Sequence, residues 1–282
     1  EPTLGAQLGS TTSHTYTIRD DDAPAIGSSG PGGVGGAESD GRLKLWLRAD
    51  AITDSIATNG DPLSTWPDTS GNNNDASAGT APTFQSSVAA ANGRPMVRFD
   101  GTDGTRMTGS LSFSGGATYF AVANGNVNGN NFGGGEGGIL ETAPSASPGT
   151  GETRNGLYLD GNDLSYLYGE DGSDFLNGGT ADGNGSTESG FVIFGADQTS
   201  QTARIRLNGN GVGTNNSVPV NGDRRDYVIG DDLSSGNEIS GDIGEVITFS
   251  GPLTDVQRTL VQNYLSAKYD ITLNSNDQYA GD

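Results

Sequence analysis

The apolar positions of this 282-residue chain fall mostly in short runs that alternate with polar residues, the spacing of half-buried β-strands. In LKLWLRAD, Leu43, Leu45 and Leu47 share one face, and Lys44, Trp46 and Arg48 share the other. Further strands are predicted over 95–99, 118–123, 156–159, 165–168, 190–196, 203–208, 225–229 and 244–249. Near the start, residues 11–19 also read as a strand, with His14, Tyr16 and Ile18 on one face, ended by Asp20, Asp21 and Asp22. One segment has a different period. Leu253, Val256, Leu260, Val261, Tyr264 and Leu265 recur at helical spacing behind a Thr254 or Asp255 cap, which predicts a helix over about 254–269. Short strands separated by polar turns, among them the Asn208-Gly209 turn dipeptide, predict an all-β fold: an antiparallel β-sandwich of jelly-roll type with one C-terminal helix.

Composition divides the chain and narrows its partners. Residues 23–41, APAIGSSGPGGVGGAESDG, have the Gly, Ser and Pro content of a flexible linker. They separate the N-terminal strand segment, 1–22, from a main domain over 42–282. Basic residues number 14 and acidic residues 35, a formal charge of −21. That field repels phosphate backbones and anionic lipid, so nucleic acid and membrane surfaces are excluded as partners. It attracts cations, and outside cells calcium is the natural one. There is no cysteine, hence no disulfide and no thiolate metal site. No run approaches the roughly 18 apolar residues of a membrane helix. The sequence opens at Glu1 with neither an initiator Met nor a signal peptide, so a processed product or a piece of a longer protein is expected.

Two stretches of the main domain resemble a known family. The first comprises LWLRAD (45–50), STWPDTSGNNNDA (64–76) and GRPMVRFDG (93–101). The second is GDIGEVITFSGPLTDVQRTLVQNYLSAKYDITL (241–273). Together they are similar to the concanavalin A-like, or LamG-like, domains of bacterial surface proteins, over about 42–273. That resemblance implies two packed antiparallel sheets, often a structural calcium, and glycan or protein binding at an edge or on the concave face. Segment 8–22 resembles the terminal strand of a Calx-β domain. It is either a remnant of such a domain or a strand to be donated to another sheet.

Candidate chemistry follows from residue types. The only histidine, His14, lies outside the main domain, which excludes a Ser-His-Asp site and His-ligated zinc there. Glycosidases on related folds carry paired acids, typically as Glu-x-Asp-x-x-Glu. Glu38 and Asp40 lie in the linker without the third acid, and the strand of Glu245 lacks the second. The chain is therefore expected not to be an enzyme. For calcium, DTSGNNND offers Asp68, Asn72, Asn74 and Asp75 around a Gly71 bend, and FDGTDG offers Asp100 and Asp103. The competing reading is a turn whose side chains cap backbone N–H groups. GEDGSDFLN (169–177) fits one imperfect calcium-binding nonapeptide, but a single copy cannot stack into a β-roll, so it reads as a hairpin loop in preference. For sugar binding, Tyr158, Tyr166 and Tyr168 lie beside Asp160 and Asn162. Against this stands the reading that most of these rings fill the core, as Trp46 and Trp66 should.

The resulting expectation is an extracellular binding or adhesion module, calcium-stabilised, for a polysaccharide or surface glycan. A structural alternative is a filament subunit that self-associates through His14, Tyr16 and Ile18 by adding its strand to a neighbour's sheet edge. A polysaccharide hydrolase is the third reading. The Gly/Asn-rich region 124–190 gives no readable pattern beyond strands with long polar loops.

Overall fold

In the computed structural model, the described residues are 29–36, 40–102, 104–125, 136–147, 152–160, 163–169, 175–180, 190–219, 222–233 and 236–274. They form two antiparallel sheets and a single α-helix, the sandwich expected. The strands begin with β1 (Leu43–Arg48), β2 (Thr65–Trp66), β3 (Ala76–Ala78), β4 (Thr83–Val88), β5 (Arg94–Asp100) and β6 (Met107–Ser114). Then come β7 (Ala117–Gly125), β8 (Glu136–Ala143), β9 (Arg154–Asp160), β10 (Asp163–Gly169) and β11 (Phe175–Thr180). The last five are β12 (Val192–Gln198), β13 (Ala203–Leu207), β14 (Asn210–Asn215), β15 (Asp223–Ile229) and β16 (Ser240–Ser250), followed by helix α1 (Asp255–Tyr269). The first sheet runs β14-β13-β12-β7-β16-β5-β4, with β1 paired to the far half of the long β16. The second runs β11-β10-β9-β8-β15-β6-β3-β2.

The central strands of the first sheet, β7, β12 and β16, are buried on both faces, and their sequences show it. In β7, Tyr119, Ala121 and Ala123 enter the core between the sheets, while Phe120 and Val122 enter a second core beneath α1. A strand covered on both sides reads as a continuous apolar run, which is how ATYFAVA reads. β16 resets its alternation with a bulge at Gly244, where a Cβ would press on Met96 and Tyr269. Beyond it, Val246 faces the inter-sheet core and Ile247 and Phe249 face the helix. Helix α1 lays Val261, Leu265 and Tyr269 on that face. A capping box starts it: the Thr254 side chain accepts from Gln257 N, and the Gln257 side chain accepts from Thr254 N.

The second sheet is buried on both faces at β8, β9 and β10 and is open on its outer face along β6 and the start of β15. In β6, Met107 and Leu111 are buried, while Thr108, Ser110 and Ser112 are exposed. Trp46 and Trp66 are both core residues, in the helix-side and inter-sheet cores respectively. Part of the segment expected as free linker is anchored. Val34 is buried in the helix-side core, Leu43 N donates to Gly35 O at 2.7 Å, and Gly32 lies against the Leu260 carbonyl.

Candidate functional site

Register places one row of residues across the outer face of the second sheet. Thr108 pairs with Val228, Val228 with Glu141, Glu141 with Gly156, and Gly156 with Leu167. At this row's centre, on β8, Glu141 is fully buried and receives four donors. Arg154 Nε reaches Oε1 at 2.5 Å; Arg154 Nη2 (2.8 Å), Leu233 N (3.1 Å) and the Tyr158 hydroxyl reach Oε2. Arg154 also lies 3.6 Å from Asp232. Burial opposes the Arg154 charge, but hydrogen bonding and attraction to Glu141 outweigh it and hold the guanidinium above its ordinary range. Burial first, and Glu141 second, push the Tyr158 hydroxyl well above the phenol range. Tyr158 stays a neutral donor, its ring edge-on to Phe175 at 5.5 Å.

This cluster anchors a short loop over the sheet. Asp231 Oδ1 accepts from the backbone N–H groups of Asp232, Gly236 and Asn237, and Asp231 Oδ2 accepts from Arg106 at 3.1 Å. Gly138 lets the loop lie close, since a Cβ there would run into the Asp231 carbonyl. Beside the loop opens a cleft of about 320 Å³, lined by Arg106, Thr108, Ser110, Ala146, Asp226 and Leu233 among others. Ser110 donates to Asp226 Oδ1 at 3.3 Å. Two hydroxyls, a carboxylate and a guanidinium thus converge beside the apolar Leu233 and Ala146, the mixture that suits a polyhydroxylated ligand. Glu141 lies two strand spacings from Thr108, about 10 Å away, and shapes the cleft wall through Leu233 rather than lining it.

The residues predicted from sequence are distributed differently. Tyr158 is on this face, within the anchoring cluster. Tyr166 points into the inter-sheet core, where Asn155 donates to its hydroxyl at 2.9 Å and the hydroxyl donates to Gln198 at 2.9 Å. Tyr168 packs against the same core and accepts from Asn215 at 2.6 Å. Neither is a stacking platform; the shared face of Tyr166 and Tyr168 is the inner one. Asp160 ends β9, its backbone in register with Asp163 and Glu136, and Asn162 lies outside the described residues.

Asp68, Asn72, Asn74 and Asp75 do meet, but as a turn that caps backbone. Asp68 Oδ1 accepts from Trp46 N and Ser70 N, each at 2.9 Å, and Oδ2 accepts from Asn74 N and Ser70 Oγ. Asp75 accepts from Asp68 N at 2.8 Å. Asn72 and Asn74 donate to the carbonyls of Leu43 and Lys44. Asp100 accepts from Thr102 N and Oγ1, and Asp103 lies outside the described residues. Among the described residues no group of three or more His, Cys, Asp or Glu side chains is placed to hold a metal ion. His14, Tyr16 and Ile18 lie outside the described residues, as does most of 169–177. No described helix is long and apolar enough to cross a membrane.

No family model matches this sequence, and no curated protein does. Solved structures do match in fold. A Trypanosoma rangeli sialidase in complex with a difluoro-KDN aligns at 16% identity and TM-score 0.52, over 86% of this chain and 35% of that one. A GH54 α-L-arabinofuranosidase soaked with a cyclic sulfate inhibitor aligns at 14% identity and TM-score 0.52, over 86% of this chain and 60% of that one. The binding domain of Paraclostridial Mosquitocidal Protein 1 aligns at 13% identity and TM-score 0.52, over 79% and 52%. This chain thus spans about a third of the sialidase and just over half of the other two. The comparison corrects one expectation. Absence of a Glu-x-Asp-x-x-Glu strand had argued against an enzyme, yet two of these neighbours are glycosidases, so the fold supplies no ground for that exclusion. At such identities the likeness establishes the fold, a β-sandwich that occurs in glycan-acting proteins.

Proposed function

We propose that this chain is a carbohydrate-recognising β-sandwich whose saccharide lies in the cleft on the open face of the second sheet. One observation carries the reading: Thr108, Ser110, Asp226 and Arg106 converge on a cleft whose wall is fixed by the Asp231 and Glu141 networks. Such a wall presents polar groups already in place, so little ordering entropy is lost on binding. The fold neighbours that act on glycans support the class of ligand, as does the resemblance to LamG-like surface domains, which also supports a place outside the cell. Asp226 would accept from sugar hydroxyls, Thr108 and Ser110 would donate or accept, and Leu233 would cover the apolar face of a ring.

A glycan array, followed by calorimetry on the best ligand, tests this. Asp226→Ala should weaken binding at least about tenfold, since it removes a charged acceptor, with little change in melting temperature. Unchanged affinity would remove the cleft from consideration. Incubation of the same protein with nitrophenyl glycosides reads out bond cleavage directly, and turnover abolished by Asp226→Asn would make the cleft an active site.

A further inference from the structure

A second cleft, on the opposite side of the sandwich, has an excess of basic residues in its lining. It lies between α1 and the end of β1 and has a volume of about 910 Å³; Arg48, Asp50, Arg94, Asn263, Tyr264 and Lys268 are among its lining residues. Of the chain's charges, 35 are acidic and 14 basic, yet three basic residues and one acidic residue line this cleft. Lys268 is already neutralised: its Nζ donates to Glu245 at 2.8 Å, Asp50 at 3.0 Å and the Tyr264 hydroxyl at 3.2 Å. The two guanidinium groups are less fully engaged. Arg94 is exposed and has no carboxylate within ion-pair distance among the described residues; only its Nε is engaged, with Lys268 O at 3.0 Å. Arg48 makes no hydrogen bond among the described residues, although its Nε is buried, and Asp50 lies 3.6 Å away. Its guanidinium is held over the Trp46 ring at 4.7 Å.

Two guanidinium groups that line one cleft and retain unused N–H donors suit a planar oxyanion. A carboxylate matches the arginine fork in two-point geometry, which an ammonium could not offer. The elements on either side keep the forks in place: β1 carries Arg48 on the stacked Trp46, and the last turn of α1 supplies the carbonyl that orients Arg94. We propose that this cleft binds the carboxylate of an acidic sugar, a uronic acid, through Arg48 and Arg94. The anion half of the proposal stands on this cleft alone; the sugar half rests on the carbohydrate reading above.

Calorimetry on the intact chain with galacturonate, galactose, acetate and sulfate tests it. Galacturonate should bind, galactose should not compete, and affinity should fall as salt rises from about 0.05 M to about 0.5 M. Arg94→Gln, at an exposed position, should weaken galacturonate at least about tenfold with the fold intact, and Arg48→Gln should do the same. The Asp226→Ala variant should bind galacturonate normally, which separates this cleft from the neutral-saccharide cleft. Equal galacturonate affinity in Arg94→Gln would overturn the proposal, as would galactose competing on equal terms. Acetate or sulfate binding as tightly as galacturonate would overturn the acidic-sugar assignment.

Discussion

Each sheet places one fully buried glutamate on the outer face of a central strand, and the two are covered in different ways. Glu245, on β16 of the first sheet, receives Trp46 Nε1 at 2.5 Å, Lys268 at 2.8 Å, and the Tyr269 and Tyr264 hydroxyls at 3.1 and 3.4 Å. Glu141, on β8 of the second, receives Arg154 twice, Tyr158 and one backbone N–H. Both satisfy the rule that a buried carboxylate needs a cation and several hydrogen bonds. The difference lies in the cover. Glu245 sits under a whole helix with its own apolar core, so a ligand reaches this face only at the cleft beside α1. Glu141 sits under a short loop, and the same face is open only farther along, at Thr108, Ser110 and Asp226. The same polar solution therefore serves to dock a helix in one place and to set a cleft wall in the other.

Removing the two carboxylates tests that contrast most strongly. Glu245→Ala leaves Lys268 buried with only Asp50 as its acid, and should cost about 3–5 kcal/mol, the penalty for breaking a buried pair. Urea unfolding measures it, and affinity of the folded fraction for a saccharide in the second-sheet cleft should be unchanged. Glu141→Ala should cost about 3 kcal/mol and also weaken saccharide binding, because Leu233 and its loop lose their anchor. If the two variants changed binding equally, the faces would not be functionally distinct.

The Asp68 turn separates capping from metal binding, with a smaller effect. Asp68→Ala removes an acceptor for four donors, including Trp46 N of β1, and should cost about 2–3 kcal/mol. Chelation with EDTA should leave the melting temperature of the parent protein where it is. A fall on chelation that calcium restores would return the site to the metal reading. At the start of α1, Thr254→Ala breaks the capping box and should cost about 1 kcal/mol, read as a lower urea midpoint. Because the helix covers only the first sheet, affinity for a saccharide in the second-sheet cleft should not move.

How much of this was legible in the sequence follows from the same contrast. Strands of the first sheet announced themselves: 118–123, 190–196, 203–208 and 244–249 fall on β7, β12, β13 and β16. So did α1, from its 3.6-residue period and its cap. The helix-side cluster also explains why GDIGEVITF and YLSAKY stand out, since Glu245 of the first bonds Tyr264, Lys268 and Tyr269 of the second. The second sheet was partly hidden. β6 buries only Met107 and Leu111 among glycine, serine and threonine, and β8 begins inside a glycine-rich run. Glu141 was therefore missed, and with it Arg154, Asp232 and the cleft. No local pattern marks them, because they meet only through the register of β8, β9 and β15 and a distant loop. Tyr166 and Tyr168 were placed on one face correctly, but period alone cannot say which face is inner. The turn at 68–75 showed the right residues converging, while the identity of what they bind, backbone rather than cation, depended on Leu43 and Lys44 some thirty residues away.

The smallest effect concerns where the chain enters the sandwich. Asp40 accepts from Arg42 Nη2 at 2.6 Å and from Arg42 Nε at 2.8 Å, and Arg42 in turn donates to Pro252 O and Gln257 beside the start of α1. Hydrogen bonding from Arg42 holds the Asp40 carboxyl below the ordinary aspartate value of 3.8, against a smaller opposing contribution from burial. A folded-state value below the unfolded one means that the folded state resists protonation. The stabilisation is therefore complete above pH 3.8 and is lost as pH falls through the lowered folded value. Solvent screening limits it to a few tenths of a kcal/mol, about the worth of an exposed pair. Urea titrations at pH 6 and near pH 3 should show Asp40→Asn less stable than the parent at pH 6, with the gap narrowing in acid. A gap that stayed constant across that range would mean that the Asp40 charge does nothing to hold the chain's entry against the helix on the first sheet.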